Sequence, residues 1–125
     1  MKLIYVAHPF SGKAENVEKA ERILRQLMQE YPDYVFYSPL HAMGYYYHDV
    51  PYDKGMEHCL EMLRRCDELW LCGEWENSRG CSLEYSFAKG TGIPIREVIK
   101  DELPKLEPLE PIEVNEARDL RCSLI

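Results

Sequence analysis

Leu3-Ile4-Tyr5-Val6-Ala7-His8-Pro9-Phe10-Ser11-Gly12-Lys13 is the stretch whose reading decides the fold. Its first five residues are an unbroken apolar run, stopped by His8-Pro9. A strand covered on both faces reads this way, and such strands belong to parallel sheets flanked by helices. Ser11-Gly12 makes a turn. From Ala14 to Glu30 the apolar positions Val17, Ala20, Ile23, Leu24, Leu27 and Met28 recur at helical spacing, until Tyr31-Pro32 closes the run. Strand, turn and helix make the opening half of a crossover unit.

The rest of the chain repeats the alternation. Tyr34–Tyr37 reads as a second strand ended by Ser38-Pro39, and positions 40–54 as a loop or a short irregular helix. Gly55–Arg65 is helical in pattern, with Met56, Cys59, Leu60 and Leu63 on one face. Leu69–Cys72 reads as a third strand. Arg79–Lys89 reads as a helix with Leu83, Phe87 and Ala88 inward and Gly90 as its stop. Ile93–Ile99 is the fourth strand. Past Lys100, three prolines (104, 108 and 111) interrupt an acidic stretch with room for one short edge strand near Ile112–Val114. The order predicts an α/β fold: a single-domain, Rossmann- or flavodoxin-like three-layer sandwich with a mostly parallel, four- to five-stranded sheet. Residues 1–100 form the domain and residues 101–125 a Pro-rich acidic tail.

Composition narrows the function classes. The 125 residues suit one domain, and 46% apolar with 30% charged residues is a globular balance. A net charge of −7 without a basic block argues against nucleic-acid partners and against binding to an anionic membrane. No apolar run approaches the roughly 18 residues of a membrane span. Met1-Lys2 leads straight into a strand rather than a signal peptide, so a cytoplasmic protein is expected. Cysteines stand at 59, 66, 72, 81 and 122, an odd number without a CxxC pair, which points to reduced thiols. His41, His48, Asp49 and His58 match no metal-ligand spacing, so no metal is expected, and no cofactor either.

In parallel α/β sheets ligands bind beyond the carboxyl ends of the strands. After the first strand, His8, Ser11, Gly12 and Lys13 lead into a helix start, where free N–H groups, a hydroxyl and a cation make an anion cradle. After the third, Ser78 and Gly80 open a second such start. Glu84 follows one turn later, able to point back toward the strand ends. Tyr45-Tyr46-Tyr47 reads equally as a stacking surface for a base and as packing.

Three stretches together resemble the nucleoside 2-deoxyribosyltransferase superfamily, its nucleotide N-glycosidase branch in particular. They are Ile4–Gly12, Cys66-Asp67-Glu68-Leu69-Trp70, and Ser78-Arg79-Gly80 with Glu84 and Ala88, which follows the pattern Ser-x-Gly-x-x-x-Glu-x-x-x-Ala. The chain also resembles small phage and bacterial proteins of that superfamily whose function is unknown. The resemblance implies cleavage of the N-glycosidic bond of a nucleotide or modified nucleotide, with Glu84 as nucleophile and Tyr5 orienting it. It implies phosphate contacts at Ser78 and Gly80, and a second phosphate loop at Ser11, Gly12 and Lys13. Where the superfamily carries an aspartate that handles the departing base, this chain has Cys59, and Glu57, His58 or Glu61 is the candidate substitute. The implied ligand is a small-molecule nucleotide or nucleoside, and the implied assembly a homodimer or higher homo-oligomer. Two other readings are a non-catalytic nucleotide sensor of the same fold and a flavodoxin-like redox module.

Overall fold

The computed structural model of the chain describes residues 1–98. The elements run β1 (Leu3–Ala7), α1 (Ala14–Glu30), β2 (Val35–Tyr37), α2 (Pro39–Met43), α3 (Tyr52–Arg64), β3 (Glu68–Leu71), α4 (Arg79–Thr91) and β4 (Ile95–Glu97), with single 3-10 turns at Gly44–Tyr46 and Trp75–Asn77. The strands form one sheet in the order β2-β1-β3-β4, and every pairing is parallel. The expected α/β sandwich is therefore present, with four strands among the described residues. The predicted edge strand near Ile112–Val114, Cys122 and the whole of 101–125 lie outside those residues.

The period-2 alternation of β1 divides the core. Ile4 and Val6 face α1, where they pack with Ile23, Leu24, Leu27, Trp70 and Cys72. Tyr5 and Ala7 face the other way, into a cluster with Leu63, Leu69, Leu71, Cys81 and Ala88 from α3, β3 and α4. Helices cover both faces, which is why β1 shows no polar position. Losing the Leu63 side chain (0% exposed) leaves a hole in the second cluster and costs about 2–5 kcal/mol.

Element ends depart from expectation at several points. Helix α3 begins at Tyr52, three residues ahead of Gly55, because Pro51 sits as its N-cap and starts the turn. The aromatic stretch before it includes the short helix α2, opened by Pro39 at its first turn. Gly90 does not stop α4: Gly92, at φ +79°, takes the left-handed cap position and Thr91 ends the helix. Leu83 is not inward but 39% exposed, and Met28 of α1 is 51% exposed. The buried stripe of α4 is Cys81, Glu84 and Ala88, at spacings of three and four, and Leu83 lies about 100° off it. A carboxylate thus occupies the place where an apolar residue was expected. The β2 strand starts at Val35, and the β3 strand runs one residue ahead of its predicted range.

Chain order and sheet order diverge at β1. The chain goes from β1 to β2 on one side and then crosses to β3 on the other. The crevice beyond the carboxyl ends of β1 and β3 is the switch point of the sheet.

Candidate active site

A cavity of about 300 Å³ opens at that switch point. Its walls come from the β1–α1 loop, α2 and the turn after it, the first half of α3, and the start of α4. Aromatic and aliphatic groups dominate: Phe10, Tyr46, Tyr47, Tyr52 and Met56 line it, while among the described residues Glu84 is the sole lining carboxylate.

Glu84 reaches this place because Ser78 starts α4 where it does. The Ser78 hydroxyl accepts the Cys81 N–H at 3.3 Å, an N-cap that satisfies one orphan donor of the first turn. One and a half turns on, Glu84 is buried, 5% exposed, on the helix face against β1. Burial pushes its carboxyl up to about 7, while the Tyr5 hydroxyl beside it pulls the other way. Tyr5 is wholly buried, and its hydroxyl is the one buried side-chain oxygen or nitrogen among the described residues that closes no hydrogen bond. Its acidity is suppressed, by burial first and by Glu84 next. The Tyr5 hydroxyl stands close enough to the Glu84 carboxyl and the Cys59 thiol to draw both downward, yet completes no well-formed hydrogen bond with either.

Cys59 is the third member of this group. It lines the cavity, and burial, then the charge of Glu84, push its thiol up to about 11. It is a protonated, weakly nucleophilic thiol at neutral pH. Cys66, Cys72 and Cys81 are buried free thiols, as expected from the spacing.

The candidate acids from the same helix stand elsewhere. Glu57 faces solvent and pairs with Lys54 at 3.4 Å. Glu61 is exposed and held by Arg64 and Arg65. His58 is exposed, and its Nδ1 meets the Tyr46 hydroxyl at 3.4 Å. None of the three lines the cavity.

The two anion-ready loops differ. At the first, Ser11 (φ +52°) and Gly12 (φ +70°) form a left-handed turn closed by Lys13 N–H donating to the Phe10 carbonyl at 3.0 Å. Asn16 Nδ2 donates to the same carbonyl at 2.8 Å. Gly12 packs under Tyr47, and a Cβ there would meet its ring at 3.2 Å. Ser11 and His8 line the cavity; Gly12 and the exposed Lys13 do not. At the second loop Ser78, Arg79 and Gly80 all line it. Gly80 lets α4 approach α3: a Cβ there would stand 3.3 Å from the Tyr52 hydroxyl.

Among the described residues the Lys or Arg that lines the cavity is Arg79, which sequence reasoning passed over. Its guanidinium lies 4.8 Å over the Tyr52 ring. A signal was present, since a basic residue in the first turn of a helix opposes the macrodipole and needs a reason to be there. His41 is occupied by Ser38, at 2.8 Å, and His48 packs on the Tyr47 ring. Of the three tyrosines at 45–47, only Tyr45 is exposed, while Tyr46 and Tyr47 form cavity wall.

Residues 2–97 match the family model described as a domain of unknown function, DUF4406. The chain belongs to this family. No curated protein matches it. The DUF4406 match ends where β4 ends, so it takes in the four described strands, the cavity and the candidate site residues. Among the described residues of this DUF4406 domain no helix is long and apolar enough to cross a membrane.

Proposed function

We propose that this DUF4406 domain cleaves the N-glycosidic bond of a nucleotide or modified nucleotide through Glu84. The observation that carries the reading is the Glu84–Tyr5 pair: a buried carboxylate at the switch-point crevice, with an unpartnered phenol beside it and an aromatic-lined cavity in front. A carboxylate Oε attacks the anomeric carbon, the carbon–nitrogen bond breaks, and the bonding pair leaves with the base, which takes a proton from solvent. Water then attacks the same carbon, loses a proton and frees the carboxylate. Hydrolysis returns the sugar phosphate; transfer differs only in that a second base takes the place of water.

The helix start with Ser78, Gly80 N–H and the Arg79 guanidinium suits a 5′-phosphate, since a dianion is favoured by aligned donors and a cation in a partly dry cleft. Tyr46, Tyr47 and Phe10 suit a flat base. The exposed Tyr45, beside that wall, suits a contact between copies in a cytoplasmic homo-oligomer.

A second reading, a nucleotide sensor without turnover, draws on Cys59. A thiol held at about 11 protonates a leaving base poorly, and no second carboxylate among the described residues lines the cavity. One experiment separates the two. The protein is incubated with a panel of ribo- and deoxynucleotides and the products are separated by chromatography. Free base and sugar phosphate support cleavage; intact nucleotides that nonetheless raise the melting temperature support the sensor.

A further inference from the structure

We propose that His8 determines specificity by accepting, through Nε2, a hydrogen bond from a hydroxyl of the ligand's sugar. The assignment rests on the nucleotide reading of the cavity. It departs from the phosphate contact that the sequence suggested for this residue.

The geometry fixes the tautomer. His8 follows β1 directly, is 7% exposed and lines the cavity. Its Nδ1 lies 2.8 Å from the Pro9 carbonyl oxygen. A carbonyl only accepts, so Nδ1 carries the proton, and in a neutral ring Nε2 is left with its lone pair. Burial keeps the ring neutral at pH 7, and the Lys19 ammonium adds to that; the Pro9 contact opposes them without overcoming burial.

The second nitrogen lies beside the turn that follows β3. Gly73, just past β3, has φ +62°, and a Cβ there would stand 3.1 Å from Nε2 and 3.3 Å from Cδ2. Any side chain there would press on that edge of the ring, so glycine at 73 spares Nε2 this contact. Nε2 meets no donor among the described residues. A lone pair repels a phosphate oxygen and welcomes an O–H, so His8 faces a hydroxyl. The hydroxyls of the ligand's sugar, the ring whose anomeric carbon Glu84 attacks, supply that donor.

Two measurements test this. Nitrogen-15 shifts of the His8 ring in the ligand-free protein at pH 7 should show a neutral ring protonated on Nδ1; a proton on Nε2, or a charged ring, overturns the assignment. Calorimetry in the Glu84→Gln background then compares a 5′-monophosphate with its 2′-deoxy, 3′-deoxy and 2′,3′-dideoxy forms, and with the matching nucleoside. Loss of one of the two hydroxyls should weaken binding about tenfold. His8→Phe should level that preference and leave the phosphate-to-nucleoside ratio standing, and His8→Gln, which keeps an acceptor, should restore part of it. A hydroxyl preference that survives His8→Phe overturns this assignment alone, as does a collapsed phosphate ratio. Failure of every nucleotide to bind overturns the nucleotide reading as well.

Discussion

Arg79 stands 4.8 Å over the ring of Tyr52, so a cation from the first turn of α4 is held by an aromatic side chain of α3 at the rim of the cavity that contains Glu84. The arrangement joins the two helices whose contact forms one wall of the site. It also moves the positive charge of the pocket away from Lys13, where the order of residues along the chain put it.

The first expected outcome follows from that shift. Arg79→Ala should weaken a 5′-monophosphate about tenfold to a hundredfold relative to the nucleoside, because it removes a charge-assisted contact. Lys13→Ala should leave the ratio unchanged. Binding titrations of both ligands to both variants check this, and the opposite ranking would place the phosphate at the β1–α1 loop.

Glu84 makes stability depend on pH in a defined direction. Its folded carboxyl titrates near 7, above the ordinary 4.5 of an exposed glutamate. Between those values the folded state holds a proton that the unfolded chain has lost, so stability declines as pH rises from 4.5 to about 7 and then levels off. Glu84→Gln should flatten that dependence and gain on the order of 1–3 kcal/mol at pH 8. Urea unfolding at pH 5 and pH 8 reads it directly. A steeper fall in the variant would mean the carboxylate is stabilised where it stands.

The same proton sets the activity profile. A nucleophile must be ionised, so kcat/KM for an N7-methylated purine nucleotide, a leaving group that needs no acid, should rise with pH to a plateau above about 7. A profile that falls through neutrality would assign Glu84 the role of a proton donor.

Much of this was legible in the sequence, for identifiable reasons. β1 could be placed because burial on both faces leaves an apolar run of five residues, short for a helix and stopped by His8-Pro9, and α1 because seventeen residues keep one period. Ser78, Gly80 and Glu84 could be singled out because a helix start able to hold an anion is followed one turn later by a carboxylate; the close approach that Gly80 allows to α3 came from the structure alone. What periodicity misjudged was Leu83: an apolar residue beside a charged one is the natural choice for the core. Here the helix phase set by the Ser78 cap buries the charge instead, a local conflict of the kind functional sites sustain. The stacking of Arg79 over Tyr52 depended on how α3 meets α4, which no local pattern encodes, whereas the outward turn of Glu57, His58 and Glu61 follows from the apolar face that Met56, Cys59, Leu60 and Leu63 set.

Cys59 gives a substitution that should improve the protein. A carboxylic acid there stands where the thiol now touches the Glu84–Tyr5 group, and each raises the proton affinity of the other. Cys59→Asp should speed release of normal bases by about tenfold or more, and leave N7-methylated purine nucleotides unaffected, since only the former need the proton. Equal gains for both would point to a change in binding instead.

The central claim is that Glu84 forms a bond to the sugar, and peptide mass spectrometry tests it most directly. The protein is mixed with an N7-methylated purine nucleotide, quenched in acid within the first turnovers, and digested. The account predicts a mass increase of one sugar-phosphate unit on the peptide that contains Glu84, absent in Glu84→Gln. Release of the base with Glu84 unmodified, and at the same rate in Glu84→Gln, would contradict it.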